Sequence, residues 1–396
     1  MDRSRAVSVA FILVPWLLGR LIVVAGFLGA PHVDLTAVAN WDGIFYRAIA
    51  TSGYEYAADG LTHTHSIAFF PLYPLLVSLV MKSGVGFYFG ALLVNNACFL
   101  AMLFVTYGWI AERNGINAAR WTVAFLALFP LSLFGTVAYS EGTFMLLTAL
   151  TLRDFDRGKY GLATLWSACA SLARPNGFLL LPALAAAAAY DRRGYKAFFP
   201  ALGAAIGIAA VVTFSAWRFG DPLAFFHAEQ AWRPGGAGYG MYQWGVLLTS
   251  GSTSFGHWIF QLPAAAVVAV LFFAGARLHW AASALLWSLV IAIEELAWGR
   301  DFSFATIAFL GGAALVYFRR ELGAATVTYG LLSLAAFLLS ATVISVDRYL
   351  YGVLPFSLAI GLVLQRLPAL APALLFASTI DLYRSSAAFA RSLWVA

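Results

Sequence analysis

Long apolar stretches alternate with short polar segments along the whole chain, and this pattern predicts a bundle of membrane-spanning helices. The first stretch, residues 6–30, is long enough to cross a bilayer and too long for the core of a signal peptide. Arg20 interrupts it, and we predict a retained first span that begins in the cytoplasm. We expect an all-α protein of about 12 spans, forming one integral-membrane domain over residues 1–396.

The composition agrees with a membrane protein and excludes several other classes. Hydrophobic residues make up 62% of the 396 residues and charged residues only 11%, whereas a soluble domain carries roughly 25% charged residues. The net charge of +6 is spread over short loops without a basic stripe, which excludes a nucleic-acid-binding protein. The sequence has no phosphate-binding glycine motif, so any activated substrate should be membrane-borne.

Basic residues collect in one set of loops, and the positive-inside rule places this set in the cytoplasm. The set consists of Arg113 with Arg120, residues 153–159 and 192–196, Arg277, Arg319 with Arg320, and Arg366. The other loops should then lie outside the cell: about 31–66, 138–142, 218–258, 294–303 and 345–349. We therefore expect a multi-pass protein of the plasma (inner) membrane.

Three segments do not read as simple crossings. Residues 67–82 contain Pro71 and Pro74, and a full crossing there would put the later basic loops outside. We predict a re-entrant or interfacial helix that follows the first outer loop. The ARPNG motif at 173–177 joins two apolar stretches that are shorter than the roughly 20 residues of a full span. Residues 368–384 form either a final span or a surface helix.

The first outer loop, 31–66, contains the strongest candidate for chemistry. Asp42 follows Trp41 and precedes a run of residues that favours a helix. It is either a helix N-cap beside an interfacial tryptophan, or a carboxylate that acts as a general base or metal ligand. His63 and His65 in the same loop are either polar loop residues or, with Asp42, weak ligands for a divalent cation.

Charged residues in later loops are further candidates. Glu141 lies in a short outer hairpin and is either a solvated turn residue or a functional carboxylate. Arg174, followed by Asn176, lies at a break between apolar stretches, where a cation is costly unless it is paired. The planar guanidinium of Arg174 either binds a phosphate or carboxylate of the substrate, or forms a structural pair with Glu141 or Asp42. Arg348, at the outer start of a late span, is either solvated or binds an anionic head group.

The second large outer loop, 218–258, contains a predicted surface helix. Asp221 and Pro222 are typical of a helix start. His227, Gln230 and Trp232 then follow on a short amphipathic segment. Such a helix either anchors the protein at the interface through its aromatic residues or controls the lateral access of lipid substrates.

Together, these motifs resemble those of the bacterial members of the PIG-V-type mannosyltransferase family. The motifs WDG, GY, AFFPLYP, YSE, RPNG, GDPLAFFHAEQ and RY occur in that order from Asn40 to about Pro355. The resemblance implies a GT-C glycosyltransferase that takes a hexose, with mannose expected, from a polyprenyl-phosphate carrier on the outer face. It also implies that Asp42 is catalytic. The RPNG motif departs from the eukaryotic pattern, which is closer to RSNG.

The implied chemistry needs a single carboxylate. The leaving phosphate monoester has a second pKa near 6, so it departs without a general acid, and Asp42 would act as base on the acceptor hydroxyl. Displacement from one face predicts inversion at the anomeric carbon. Arg174, Arg348 or a divalent cation would stabilise the departing phosphate.

The motif residues that we expect to contact substrate are Trp41, Tyr139, Glu141, Arg174, Asn176, His227, Gln230, Trp232, Arg348 and Tyr349. The acceptor would be a lipid, glycan or protein, and membrane lipids would surround the chain. Two other functions stay open from the sequence. One is a flippase or transporter of lipid-linked saccharides without chemistry, and the other is a structural subunit of a glycosylation complex.

Overall fold

The computed structural model describes residues 3–31, 33–56, 65–230, 279–298, 306–340 and 345–395. These residues form helices joined by short turns, so the predicted all-α class is confirmed. The α-helices are α1 (Arg3–Leu28), α2 (Asp42–Ser52), α3 (Leu72–Met81), α4 (Phe87–Asn114), α5 (Ile116–Leu128), α6 (Glu141–Asp156), α7 (Tyr160–Ala173), α8 (Leu180–Tyr190), α9 (Phe199–Phe219), α10 (Ala224–Gln230), α11 (Trp280–Trp298), α12 (Gly312–Tyr317), α13 (Arg319–Leu322), α14 (Ala324–Leu338), α15 (Val346–Gly352), α16 (Leu354–Arg366) and α17 (Leu370–Ala390). Short 3-10 segments at Leu35–Ala39, Ser66–Ala68, Pro130–Gly135, Pro175–Leu179 and Tyr195–Phe198 lie between them.

Small residues let the helices approach each other closely. Lipid tails are as apolar as the side chains, so close packing, not the hydrophobic effect, holds helices together in a membrane. Gly203 and Gly207 of α9 lie one turn apart and face α7, where an added Cβ would come within 2.3 Å of a carbonyl oxygen. On the other side of the molecule, Gly26 of α1 lies against Ser386 of α17. α17 therefore packs along α1, and the choice between a final span and a surface helix for residues 368–384 stays a prediction.

Several of the predicted cytoplasmic residues meet at one end of the molecule, whereas Arg277 lies outside the described residues. Their contacts are Arg113 with Asp156 and the Glu321 carbonyl, Arg157 with Glu112, Arg193 with the Phe155 carbonyl, and Arg366 with Glu321. We call this the basic end. Loops that lie far apart in sequence therefore meet at one end of the molecule, as the distribution of basic residues predicted.

Span-length helices are present, but the predicted count of about 12 spans is not confirmed. Among the described residues, three helices have the length and apolar character of a membrane span: Val7–Leu28, Phe87–Asn114 and Tyr195–Phe219. A fourth span is formed if α15 and α16, which are bent by 77°, cross together. The other apolar helices are shorter because prolines, glycines and polar motifs interrupt them, as at the ARPNG break between α7 and α8.

The segment after the first outer loop forms a short helix. α3 has 10 residues, which gives it a length of about 15 Å, half the thickness of the hydrocarbon core. Its Tyr73 is fully buried and donates a hydrogen bond to the Ala91 carbonyl of α4 at 3.2 Å. This length and packing fit the predicted re-entrant or interfacial helix.

Candidate active site

A strained turn positions Asp42 at the start of α2. Trp41 occupies the N-cap position with φ of 58° and ψ of −118°, a backbone conformation that non-glycine residues rarely adopt. Asp42 is the first helical residue, and no side chain among the described residues caps this helix. The N-cap interpretation of Asp42 is therefore wrong. Strained backbone of this kind occurs most often at functional sites, where the surrounding structure holds it in place.

The carboxylate of Asp42 contacts Arg348 instead. The Nη1 atom of Arg348 lies 2.9 Å from Oδ2 of Asp42, and no described residue donates a hydrogen bond to Oδ1. The Arg348 side chain is only 3% exposed, so the interpretation of Arg348 as solvated is wrong. Its guanidinium lies over the rings of Phe134, Tyr139 and Tyr349 at 5.2, 5.3 and 5.0 Å. Aromatic faces stabilise a cation that has been removed from water.

A second ion pair lies beside the first. Nη1 of Arg174 is 2.5 Å from Oε1 of Glu141, and Nε of Arg348 is 3.6 Å from the same oxygen. Glu141 begins α6 and its side chain is 1% exposed, so its interpretation as a solvated turn residue is wrong. Of the two structural pairs considered for Arg174, with Glu141 or with Asp42, the structure has the one with Glu141. Two carboxylates and two guanidinium groups thus form one cluster with no net charge, which we call the charge cluster.

Tyrosine and serine hydroxyls connect the charge cluster to the backbone. The Tyr139 hydroxyl accepts a hydrogen bond from the Asp42 amide and donates one to the Asn40 carbonyl, both at 3.2 Å. The hydroxyls of Tyr46 and Ser140 are 2.7 Å apart, and Arg174 donates to Ser140 at 3.3 Å. Burial raises the pKa of the Tyr46 hydroxyl, so this group stays protonated and able to donate.

Sequence reasoning missed Asn95, which holds the loop that leads to Glu141. This asparagine is fully buried in α4 and donates to the carbonyls of Phe134 and Val137 at 2.8 and 2.6 Å. Its Oδ1 accepts from the Gly142 amide at 2.9 Å. The signal was an asparagine inside an apolar stretch, because a polar side chain there must find partners within the protein.

Two of the aromatic residues predicted to contact substrate lie at the rim of the charge cluster. Tyr349 stacks on Phe337 at 5.8 Å and also lies near Arg174, whose guanidinium is 5.3 Å from its ring. Trp41 is partly exposed and meets the edge of Trp394 at 4.9 Å. Their roles in substrate binding stay predictions.

The structure gives no contact with the charge cluster for the described members of the remaining residues predicted to contact substrate. Asn176 is half-buried in the 3-10 segment after Arg174. The predicted surface helix is present as α10, which includes His227 and ends at Gln230, whereas Trp232 lies outside the described residues. His227 is exposed, and its Nδ1 is 2.7 Å from Oδ2 of Asp221, which also accepts a hydrogen bond from Tyr56. Burial opposes ionisation of Asp221, but these hydrogen bonds outweigh it and lower the pKa of its carboxyl.

The described residues include no group of three or more His, Cys, Asp and Glu side chains that could hold a metal ion. His63, one of the two weak candidates, lies outside the described residues. His65 is described, and its ring meets the edge of Tyr56 at 5.4 Å. The proposed site of Asp42 with both histidines therefore stays a prediction.

The fold and the position of the charge cluster define a class of protein. α6 begins with Glu141 in the cluster and ends with Asp156 at the basic end, a separation of roughly 23 Å along the helix axis. Three of the described helices are long and apolar enough to span a membrane. The chain is thus a helical membrane protein with a buried ionic site at the end opposite its basic loops.

Solved structures share this fold. An oligosaccharyltransferase from Archaeoglobus fulgidus, solved with Zn and sulfate, aligns with a TM-score of 0.50 and 14% identity over 95% of this chain and 53% of its own. ArnT from Cupriavidus metallidurans, in the apo state, aligns with a TM-score of 0.50 and 13% identity over 88% of this chain and 59% of its own. At this level of identity the likeness concerns the fold alone, and it confirms the predicted GT-C-like architecture.

The family resemblance is confirmed over part of the chain. Residues 30–190 match the family described as Mannosyltransferase (PIG-V), and this range contains Asp42, Tyr139, Glu141 and Arg174. GPI mannosyltransferase 2 from Drosophila pseudoobscura pseudoobscura is 28% identical over 167 residues, which cover 37% of this chain and 34% of the relative. The chain thus spans about a third of the length of this relative. Arg348, the remaining member of the charge cluster, lies outside the residues that match the family.

Proposed function

We propose that this chain is a membrane glycosyltransferase that transfers a hexose, with mannose expected, from a polyprenyl-phosphate-linked donor to a lipid, glycan or protein acceptor. The observation that carries the proposal is the charge cluster. It brings Asp42 and Glu141, from the part that matches the mannosyltransferase family, together with two buried arginines. A pair of carboxylates beside a pair of guanidinium groups matches the charges that develop when a sugar phosphate transfers its sugar.

Asp42 acts as the general base. Arg348 binds Oδ2 of this carboxylate, which leaves Oδ1 to accept the proton of the acceptor hydroxyl. As the proton leaves, the acceptor oxygen forms a bond to the anomeric carbon. The bond from that carbon to the phosphate oxygen breaks with its electrons on the phosphate. Because attack and departure occur on opposite faces, the configuration at the anomeric carbon inverts.

Arg348 and Arg174 stabilise the phosphate of the donor as it departs. Each guanidinium has five N–H donors, and the described carboxylates engage only part of them. Bidentate contacts between guanidinium and phosphate are short and strong, and burial strengthens them further. Glu141 holds Arg174 in place, and no described residue donates to its Oε2, which is free to accept a substrate hydroxyl.

We place this chemistry on the extracytoplasmic face of the plasma membrane. The support is the position of the charge cluster, which lies at the far end of α6 from the basic end. Cysteines introduced one at a time at Arg192 and at Ser52, at the end of α2, test the orientation in intact cells. An impermeant maleimide should label the second site only, and labelling of the first site alone would contradict the proposal.

The function is tested by purifying the protein in detergent and incubating it with polyprenyl-phosphate-mannose and a panel of lipid, glycan and peptide acceptors. We expect mannose to appear on an acceptor with inverted configuration, and free polyprenyl phosphate to form in equal amount. In a parallel experiment with proteoliposomes, movement of the donor between leaflets without any transfer would identify a flippase instead and overturn the proposal.

A further inference from the structure

The turn before Asp42 depends on a part of the chain that the mannosyltransferase match does not include. Trp41 has a φ of 58°, and no described side chain caps the helix that follows. Such a backbone persists only where neighbouring groups over-determine it. Within the loop itself, the Gly43 amide donates to the Asn40 carbonyl at 3.2 Å. The Ile44 amide also donates to the Trp41 carbonyl at 3.1 Å. Two local hydrogen bonds are weak support for a strained turn, so further support must come from other elements.

The end of α17 and the residues after it supply that support. Nδ2 of Asn40 donates to the Phe389 carbonyl at 2.8 Å. The ring of Trp394 meets Trp41 edge-on, with centroids 4.9 Å apart and planes at 90°. The Phe389 ring also packs against Tyr139 at 5.8 Å, and Tyr139 holds the Asp42 amide. Residues 389–394 therefore contact Asn40 and Trp41 directly, and they reach Asp42 through Tyr139.

We infer that Trp394 is a positioning residue for the proposed reaction, holding Trp41 so that the carboxylate of Asp42 faces Arg348. This inference rests on the proposed function. It differs from a role in core packing because Trp394 and Trp41 are 40% and 37% exposed, so their contact fills no cavity. Edge-to-face aromatic pairs have a defined geometry, which makes this contact suited to fixing a backbone.

Trp217 offers a matched control for an interfacial anchor. It lies near the end of α9 and is 79% exposed, and its ring neighbour is Phe214 of the same helix. α9 follows the basic loop at 192–196, so Trp217 lies at the same end of the bundle as the charge cluster. If Trp394 serves only as a membrane anchor, both tryptophans should respond alike to substitution.

The experiment compares Trp394→Leu, Trp394→Phe and Trp217→Leu with the wild type by hydrogen exchange of residues 36–46 and by transfer kinetics. We expect Trp394→Leu to increase exchange in this segment and to lower kcat, each by about two- to tenfold, with KM for the donor unchanged. Trp394→Phe keeps an aromatic ring and should retain wild-type exchange and kcat. Trp217→Leu should change neither quantity.

The outcomes separate the inference from the proposed function. Unchanged exchange and kcat in Trp394→Leu, or equal effects in Trp217→Leu, would overturn the positioning role. Faster exchange throughout the protein would also overturn it, because that result indicates a general structural role. If the wild type transfers no sugar, the proposed function fails, and the exchange data still decide whether Trp394 orders the turn.

Discussion

Replacing Arg348 with lysine separates the charge of this residue from its geometry. Its guanidinium faces Asp42 at 2.9 Å through Nη1 and Glu141 at 3.6 Å through Nε, and the side chain is almost completely buried. A lysine ammonium is a single point charge on a flexible stem, so it cannot face both carboxylates and a phosphate in the same way. We therefore expect Arg348→Lys to fold, to bind the donor more weakly and to turn over more slowly.

The size of the effect follows from the contacts that are lost. One hydrogen bond to a charged group contributes about 1.5–3 kcal/mol, which corresponds to roughly a tenfold to hundredfold loss. Replacement by alanine is a poorer probe because it leaves buried carboxylates without their counter-charge, at a cost of about 3–5 kcal/mol. That cost is a large part of the stability of a typical protein, about 5–15 kcal/mol.

The assay measures donor binding, initial transfer rate and thermal unfolding of the purified variant in the same detergent. Arg366→Lys is the matched control, because Arg366 pairs with Glu321 at 3.0 Å at the basic end, away from the charge cluster. The control should keep wild-type binding and turnover. A folded Arg348→Lys variant with wild-type donor affinity and turnover would refute the assignment of the phosphate contact to Arg348.

Two further substitutions test the partners of this arginine. Arg174→Lys should lower turnover by roughly tenfold to hundredfold, because the lysine ammonium lacks the planar fork of arginine and cannot contact both Glu141 and the phosphate. Transfer rates at saturating donor check this prediction. An unchanged rate would limit Arg174 to a structural pair with Glu141. Asn95→Leu should lower the unfolding temperature and turnover together, since each buried group it leaves unpaired costs about 1–3 kcal/mol. Asn95→Asp keeps the acceptor for the Gly142 amide but places a carboxylate oxygen against two carbonyl oxygens, so it should be at least as damaging as Asn95→Leu. Equal stability of all three proteins would contradict this role.

Much of the site could be predicted because charges are rare in the apolar parts of this chain. Asp42, Glu141, Arg174 and Arg348 each stand out against apolar neighbours, and a buried charge must meet an opposite charge. The structure brings all four together. The alternatives of a helix cap and a solvated turn were wrong because local pattern gives no information about burial by distant helices.

Other features depend on tertiary contacts that a single sequence does not reveal. Which arginine pairs with which carboxylate is decided by the approach of α15 to α2 and α6. Asn95 reads as one polar residue in an apolar helix until the loop it holds is in place. Nothing in the local sequence around Trp394 points to the site, and its contact with Trp41 connects it there.

Turnover of the Asp42→Asn variant tests the central claim most directly. The amide keeps the size of the side chain and can still accept a hydrogen bond from Arg348, but it cannot take the proton of the acceptor hydroxyl. Losing one negative charge leaves the charge cluster positive, so donor binding should persist. We predict a loss of about 10²–10⁴-fold in turnover with donor binding and unfolding temperature retained. A folded, correctly inserted Asp42→Asn protein with near wild-type turnover would contradict the account and make Glu141 the next candidate for the base.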